Sequence, residues 1–152
     1  SFGYAVLKSF LYNQLLGSID ERLEYYQQYI GFRVVFSIDM ESSRKDLETH
    51  IYKGKSLVPY SDLSGGQQQI VDIATAFSIH DVVSEGKECD LLIMDELFES
   101  LDKSNIEIVT ELIQDKSEGK CLFLVTHTEF SPTNANIIQV DYNNGITSLA
   151  TC

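Results

Sequence analysis

Apolar positions along the chain change period several times, and each change marks an element. Leu7, Phe10, Leu11, Leu15, Ile19, Leu23, Tyr26 and Ile30 recur every three or four residues, the spacing of one helical face. They predict one long helix over residues 4–30, or two helices broken at Gly17. After Gly31 the period falls to two. Phe32, Val34, Phe36 and Ile38 alternate with Arg33, Val35 and Ser37, a strand reaching about Met40. Glu41 to Asp46 form a turn, and Leu47 to Tyr52 return as a second strand that Gly54, Lys55 and Pro59 end. A helix starts after Ser64, because Ser64 and Gln67 make an S-x-x-Q capping box ahead of Ile70, Ile73, Ala74 and Phe77. It runs to about Val83, and Gly86 to Asp90 are a loop. Leu91 to Met94 form an unbroken apolar run ending in acid, the pattern of a strand buried in a parallel sheet. Asp102 caps a helix from Lys103 to about Lys116 with Ile106, Val109, Leu112 and Ile113 turned inward, and Gly119 closes it. Cys121 to Val125 are the next buried strand. Ile137 to Val140 and Ile146 to Leu149, hinged at Asn143, Asn144 and Gly145, read as a hairpin. Strand, helix and strand over residues 91–125 make a βαβ unit, so the fold class is α/β with a partly parallel sheet.

Composition narrows the function classes. With 152 residues and 43% hydrophobic content the chain is one domain or one lobe with a packed core. Its longest apolar runs fall far below the roughly 20 residues that cross a bilayer. The opening residues lack a basic start and an apolar core, so neither a membrane segment nor a secretory signal is expected. A formal charge of -12, from 23 acidic and 11 basic residues, argues against a fold that grips nucleic acid by itself, since that affinity comes from neutralising phosphates. Cys89, Cys121 and Cys152 show no metal-ligand or disulfide spacing, which favours a reducing cytosol and no zinc.

Chemistry concentrates in three segments. Leu63-Ser64-Gly65-Gly66-Gln67 puts a glycine pair at a helix start, where unpaired N–H groups and the positive end of the helix dipole suit an anion. Leu91 to Met94 deliver Asp95 and Glu96 to the C-terminal end of a strand, the ligand-binding edge of an open α/β sheet. Asp95 offers a hard oxygen for Mg²⁺, and Glu96 can take a proton from an attacking water. Val125-Thr126-His127 ends the next strand, and its imidazole can hydrogen-bond a phosphoryl oxygen or that water. His50 and His80 lack such a context and read as structural.

Taken together, these strings resemble the ATPase head of ABC-type proteins. Leu63 to Gln67 resembles the signature loop, Leu91 to Glu96 the Walker B strand with its glutamate, Ser100-Leu101-Asp102 the D-loop, and His127 the switch histidine. The run Asp95-Glu96-Leu97-Phe98-Glu99-Ser100-Leu101-Asp102 is similar to the SMC, RecF and SbcC group of chromosome-maintenance and repair ATPases, phage recombination-endonuclease subunits above all. The long helix before the hairpin resembles the segment where a coiled coil returns into the head. Gln67-Gln68-Gln69 is instead transporter-like. The resemblance implies that ATP lies between two heads. Asp95 would position Mg²⁺, Glu96 would activate water, and His127 would sense the γ-phosphate. Ser64, Gly65, Gly66 and Gln67 would meet the nucleotide of the opposite head, with Asp102 at the seam.

No G-x-x-x-x-G-K-[ST] phosphate loop occurs. Gly54-Lys55-Ser56 has Thr49 where the first glycine belongs, and Gly119-Lys120 has Gln114. The expectation is therefore the C-terminal lobe of a P-loop NTPase head: residues 1–30 a helical segment, 31–60 a β-hairpin, 61–130 the motif region and 131–152 a terminal hairpin. Its implied partners are an N-terminal lobe on the same or a separate chain, a second head, a nuclease subunit and DNA, in the cytoplasm or at the nucleoid, or in the host cytoplasm if phage-encoded. The rival readings are a transporter nucleotide-binding fragment and a catalytically silent dimerisation scaffold. Arg44, Lys45, Lys53 and Lys55 form a basic patch that touches DNA or a nuclease subunit, or is an ordinary solvated strand edge.

Overall fold

The computed structural model describes residues 2–38, 47–85, 91–128, 135–143 and 146–151. The first element is a single helix, α1 (Phe2–Ile30), which runs unbroken through Gly17. One glycine costs a helix about 1 kcal/mol, too little to break it where neighbouring turns are packed. Ile19, Leu23, Tyr26 and Ile30 are buried, whereas Leu7, Phe10, Leu11 and Leu15, on the same predicted stripe, are exposed. The helix ends where Gly31 takes φ 71° and its N–H bonds to the Gln27 carbonyl at 3.1 Å, a left-handed cap.

The strands β1 (Arg33–Ile38), β2 (Leu47–Lys53) and β3 (Ser56–Val58) form an antiparallel sheet in that order, with Val34 opposite Ile51 and Ile51 opposite Val58. The predicted hairpin thus gains a third strand. Gly54, at φ 64°, reverses the chain in the two-residue turn between the paired Lys53 and Ser56, so the glycine read as an end is a turn. Pro59 ends β3 and leads into a short 3₁₀ turn, Tyr60–Asp62. On the outer edge of β1, the Phe36 N–H donates to Asp20 (3.2 Å), and the Gln27 amide donates to the Val34 carbonyl (3.4 Å). Helix α1 therefore satisfies an edge that would otherwise be open to another strand. The predicted turn at 41–46, with Arg44 and Lys45, lies outside the described residues, as do the loop at 86–90 and the hinge residues Asn144 and Gly145.

Helix α2 (Gly65–Ser84) opens on the predicted capping box with both bonds in place, Gln67 N–H to Ser64 Oγ at 3.3 Å and Ser64 N–H to Gln67 Oε1 at 3.1 Å. Strands β4 (Leu91–Asp95) and β5 (Cys121–Val125) are parallel, and α3 (Lys103–Lys116) crosses between them. Leu92 and Met94 enter the core with Phe77, Val109 and Leu112. On the opposite face Leu91, Ile93, Phe123 and Val125 are exposed, Ile93 at 70%. This corrects the expectation of strands buried on both faces. An unbroken apolar run records that both faces suit burial, and here one face is covered. A final hairpin pairs β6 (Ile138–Asn143) with β7 (Ile146–Thr151).

A buried polar cluster joins the three helices. Lys116 of α3, its side chain 2% exposed, forms an ion pair with Asp81 of α2. Tyr26 of α1 donates to the other Asp81 oxygen at 2.5 Å. The ammonium also lies over the rings of Tyr26 and Phe77 and reaches the Phe77 carbonyl at 3.4 Å. Burial pushes the Asp81 carboxyl up, but the Lys116 and Tyr26 hydrogen bonds outweigh it and hold the group below the usual carboxylate range. Burial and the Asp81 carboxylate push the Tyr26 phenol well above its ordinary value. Among the described residues no helix is long and apolar enough to cross a membrane.

Candidate functional site

The C-terminal ends of β4 and β5 bring three predicted side chains together. Asp95 is the last residue of β4 and stands in register with Val125, the last of β5. The Glu96 N–H donates to the Val125 carbonyl at 3.0 Å, extending the contact one residue past the ladder. There the strand stops, because Glu96 adopts φ 56°, a left-handed conformation that costs a residue with a side chain roughly 1–2 kcal/mol. The chain turns through residues 97–100, closed by bonds from Glu99 N–H to the Glu96 carbonyl and from Leu101 N–H to the Phe98 carbonyl, with Phe98 buried beneath. From this turn the Glu96 carboxylate reaches His127, Oε1 to Nε2 at 2.9 Å. The histidine side chain is 89% exposed and the glutamate 35%. A ligand oxygen can therefore approach the imidazole from solvent, while the carboxylate is partly shielded and placed to accept a proton.

Asp95 is exposed at the same edge. Among the described residues no three His, Cys, Asp or Glu side chains gather into a metal cluster. The donor set still fits Mg²⁺, which takes one or two carboxylates and completes its shell with water and phosphate oxygens.

The glycine turn lies beside the segment that follows Glu96. Gly65 faces open space, whereas a Cβ on Gly66 would lie 2.6 Å from Asn105 Nδ2 and 3.5 Å from the Ser100 carbonyl. A side chain at the second glycine would therefore have to displace the end of the Asn105 side chain, where α2 closely approaches the start of α3. Asp102 caps α3, accepting from the Asn105 N–H (2.9 Å) and the Ser104 hydroxyl (2.8 Å), and these bonds hold its carboxyl below the usual range. Ser64 and Gly65 are exposed, so the anion-attracting end of α2 faces outward. The Gln67 side-chain oxygen is engaged in the cap. Tyr60 steadies the turn from behind: its hydroxyl donates to Asp72 (2.7 Å), its carbonyl accepts from Gln68 (2.9 Å), and its phenol is pushed up to about 12 chiefly by the Asp72 hydrogen bond.

Two residues with a part in this geometry were absent from the predicted set. Asn105 packs on Gly66, and the Gln69 amide donates to the Leu97 carbonyl at 2.8 Å. Gln69 and Leu97 line, with Asp72, Phe77, Asp95 and Glu96, a shallow cavity of about 310 Å³. His50 bonds to Ser37 (2.9 Å) and approaches Glu48 (3.4 Å), while His80 lies beside Asp81 and Ser84. Of the basic patch, Lys53 lies 6.0 Å from the Phe32 ring.

Residues 3–130 match the family model described as "AAA domain, putative AbiEii toxin, Type IV TA system". The chain belongs to this AAA-domain family. The chain is similar to the Aquifex aeolicus protein named "Probable DNA double-strand break repair Rad50 ATPase", at 26% identity over 72% of this chain and 12% of that protein. It is 25% identical to exonuclease subunit 2 of Enterobacteria phage T4 over 83% of this chain and 22% of that one. It is also 31% identical to ABC transporter A family member 4 of Dictyostelium discoideum, over 72% of this chain and 6% of that one. The chain spans less than a quarter of each of these three relatives. Among solved structures it superposes on a chain from a study of ATP-driven dimerization and DNA-stimulated activation of SMC ATPases. That match has a TM-score of 0.77 and 19% identity over 93% of this chain and 88% of the other. It also superposes on the SMC head domain from Thermotoga maritima, with a TM-score of 0.66 and 22% identity over 89% and 47%. The α/β fold is that of an SMC head fragment, and the matched family is described as an AAA domain.

Proposed function

We propose that this AAA-family domain is the C-terminal half of an SMC/SbcC-like head that closes on a second head around ATP and hydrolyses it, gating access to DNA in recombination or double-strand-break repair. The observation that carries this reading is the convergence of Asp95, Glu96 and His127 at one sheet edge, with Glu96 and His127 2.9 Å apart. Glu96 takes the proton of the attacking water, and His127 contacts the terminal phosphoryl group. Asp95 would hold Mg²⁺, which neutralises phosphate charge when bound. Gly65 and Gly66 present N–H groups, and Ser64 its hydroxyl, to the nucleotide of the opposite head, with Gln67 holding their turn, and Asp102 stands at the seam.

The phosphate loop comes from an N-terminal lobe. The exposed apolar side chains of Ile93, Phe123 and Val125 on one face of β4 and β5 support a covering lobe, because contiguous apolar surface favours an occupant. The similarity to a phage exonuclease subunit supports a nuclease partner and a cytoplasmic setting. Replacing Glu96 by Gln in the full-length protein abolishes turnover and lets the ATP-bound dimer accumulate. ATP turnover absent from the parent as well as from this variant would assign the chain to a silent scaffold, and undiminished turnover in the variant of a hydrolysing head would place the base elsewhere. The transporter similarity and the Gln67-Gln68-Gln69 string favour a second reading, a nucleotide-binding subunit. Binding to DNA that ATP stimulates supports the repair reading; a stable complex with a transmembrane subunit and no such binding supports the transporter.

A further inference from the structure

We infer that Gln69 is a positioning residue for Glu96, holding through the Leu97 carbonyl the strained turn that presents the carboxylate. The inference rests on the reading of Glu96 as the base and adds a residue that acts through it. Glu96 sits at φ 56°, a conformation that persists where surrounding contacts impose it. Its N–H is tied to Val125. Past it, the next carbonyl, that of Leu97, accepts from the Gln69 side chain at 2.8 Å across 28 residues of sequence. The two bonds grip the chain on either side of the left-handed residue, one from β5 and one from α2.

The amide orientation follows from chemistry. With its oxygen and nitrogen exchanged, Gln69 would set an oxygen against a carbonyl oxygen, so Nε2 is the donor. Oε1 is then buried without a hydrogen-bond partner. A side chain that served packing alone would avoid that cost, since Met or Leu fills similar space with no orphaned acceptor. What the amide supplies and an apolar chain does not is a directed bond to the turn. Its neutrality also matters beside Asp95 and Glu96, which line the same cavity. A lysine or arginine there would pair with the carboxylates and lower the basicity a proton acceptor needs.

The test compares four forms of the full-length protein in ATP hydrolysis: parent, Gln69→Met, Glu96→Gln and the double variant. Gln69→Met should lower kcat about 10- to 100-fold, with KM for ATP and ATP-driven head association within about twofold of the parent. In the Glu96→Gln background it should have no further effect in single-turnover assays, because it acts through the missing carboxylate. Gln69→Glu, which keeps the length and presents carboxylate oxygens to the Leu97 carbonyl, should reproduce the loss and serves if the Met variant does not fold. A kcat for both Gln69 variants within about threefold of the parent overturns the inference. So does a rise in KM that matches the fall in kcat, or an effect that multiplies with Glu96→Gln. If Glu96→Gln itself retains turnover, the base is elsewhere and the inference falls with that reading. Loss in Glu96→Gln with normal kcat in the Gln69 variants overturns the positioning role alone.

Discussion

Replacing Lys116 by Met should destabilise the protein more at neutral than at acidic pH. The ammonium is buried, and its carboxylate partner Asp81 has 23% of its side chain exposed. Met keeps most of the stem between the Tyr26 and Phe77 rings, so the loss is mainly electrostatic. Removing one partner of a buried pair costs roughly 3–5 kcal/mol, and the partial access of Asp81 to water lowers that to about 2–4 kcal/mol here. For a domain of this size the melting temperature falls by about 4–16 °C. In the parent the Asp81 carboxyl is held below its ordinary value. Its stabilising contribution is therefore present above the unfolded pKa of about 3.9 and is lost as pH drops through the lower folded value. Without Lys116 the burial that now opposes ionisation dominates, and the folded pKa rises above the unfolded one. The variant then gains stability as pH falls from 7 toward 4.5, while the parent does not. Urea unfolding of both forms at pH 7 and 4.5 measures the gap, which should narrow on acidification. Adding Asp81→Leu to Lys116→Met removes the stranded carboxylate and should recover most of the loss. A gap below about 1 kcal/mol at pH 7, or one that does not change with pH, would refute the reasoning by showing that Asp81 reaches water once the lysine is gone.

Two further outcomes follow from the α2–α3 contact. Gly66→Ala puts a methyl group against the end of the Asn105 side chain, which can rotate away. Stability should change by less than about 1 kcal/mol, while ATP-driven head association weakens as the exposed turn shifts; a large drop in melting temperature with normal association would contradict this. Asp102→Asn keeps an equally good cap and should leave stability at neutral pH unchanged. The depressed Asp102 carboxyl contributes stability above the unfolded pKa of about 3.9. The Asn form should accordingly lose less stability below pH 4 than the parent in acid titration followed by circular dichroism.

Local pattern was enough wherever a single segment decided its own structure. The capping box at Ser64 and Gln67, the Asp102 cap and the reversal of period at Gly31 are dictated by residues within a few positions of one another, and all form as predicted. Pattern failed where another segment had to decide. Leu91 to Met94 and Cys121 to Val125 are apolar at every position, so nothing in them distinguishes a covered face from an uncovered one. The stripe on α1 is likewise continuous, yet the sheet and α2 cover its C-terminal half alone. Gly54 was legible as a break but not as a turn, because the three-residue strand after it is too short to show alternation.

The candidate site divides along the same line. Asp95, Glu96 and His127 were legible because each is carried by the end of a predicted strand, and parallel neighbours place such ends on one edge. The left-handed turn at Glu96 was not: a glutamate after an apolar run carries no signal for φ 56°, since the conformation is imposed from outside the segment. One constraint comes from Val125, and the other from Gln69, which in sequence is one of three consecutive glutamines. Their fates separate in space. Gln67 closes the cap, Gln68 reaches the Tyr60 carbonyl, and Gln69, about 100° further around the helix from Gln68, crosses to Leu97. Three identical residues thus hold the exposed glycine turn at one end and the strained glutamate at the other. The first turns of α2 fix both halves of the candidate site, so displacement of the glycine turn by an opposing surface and displacement of the Glu96 turn are opposed by the same short stretch of helix.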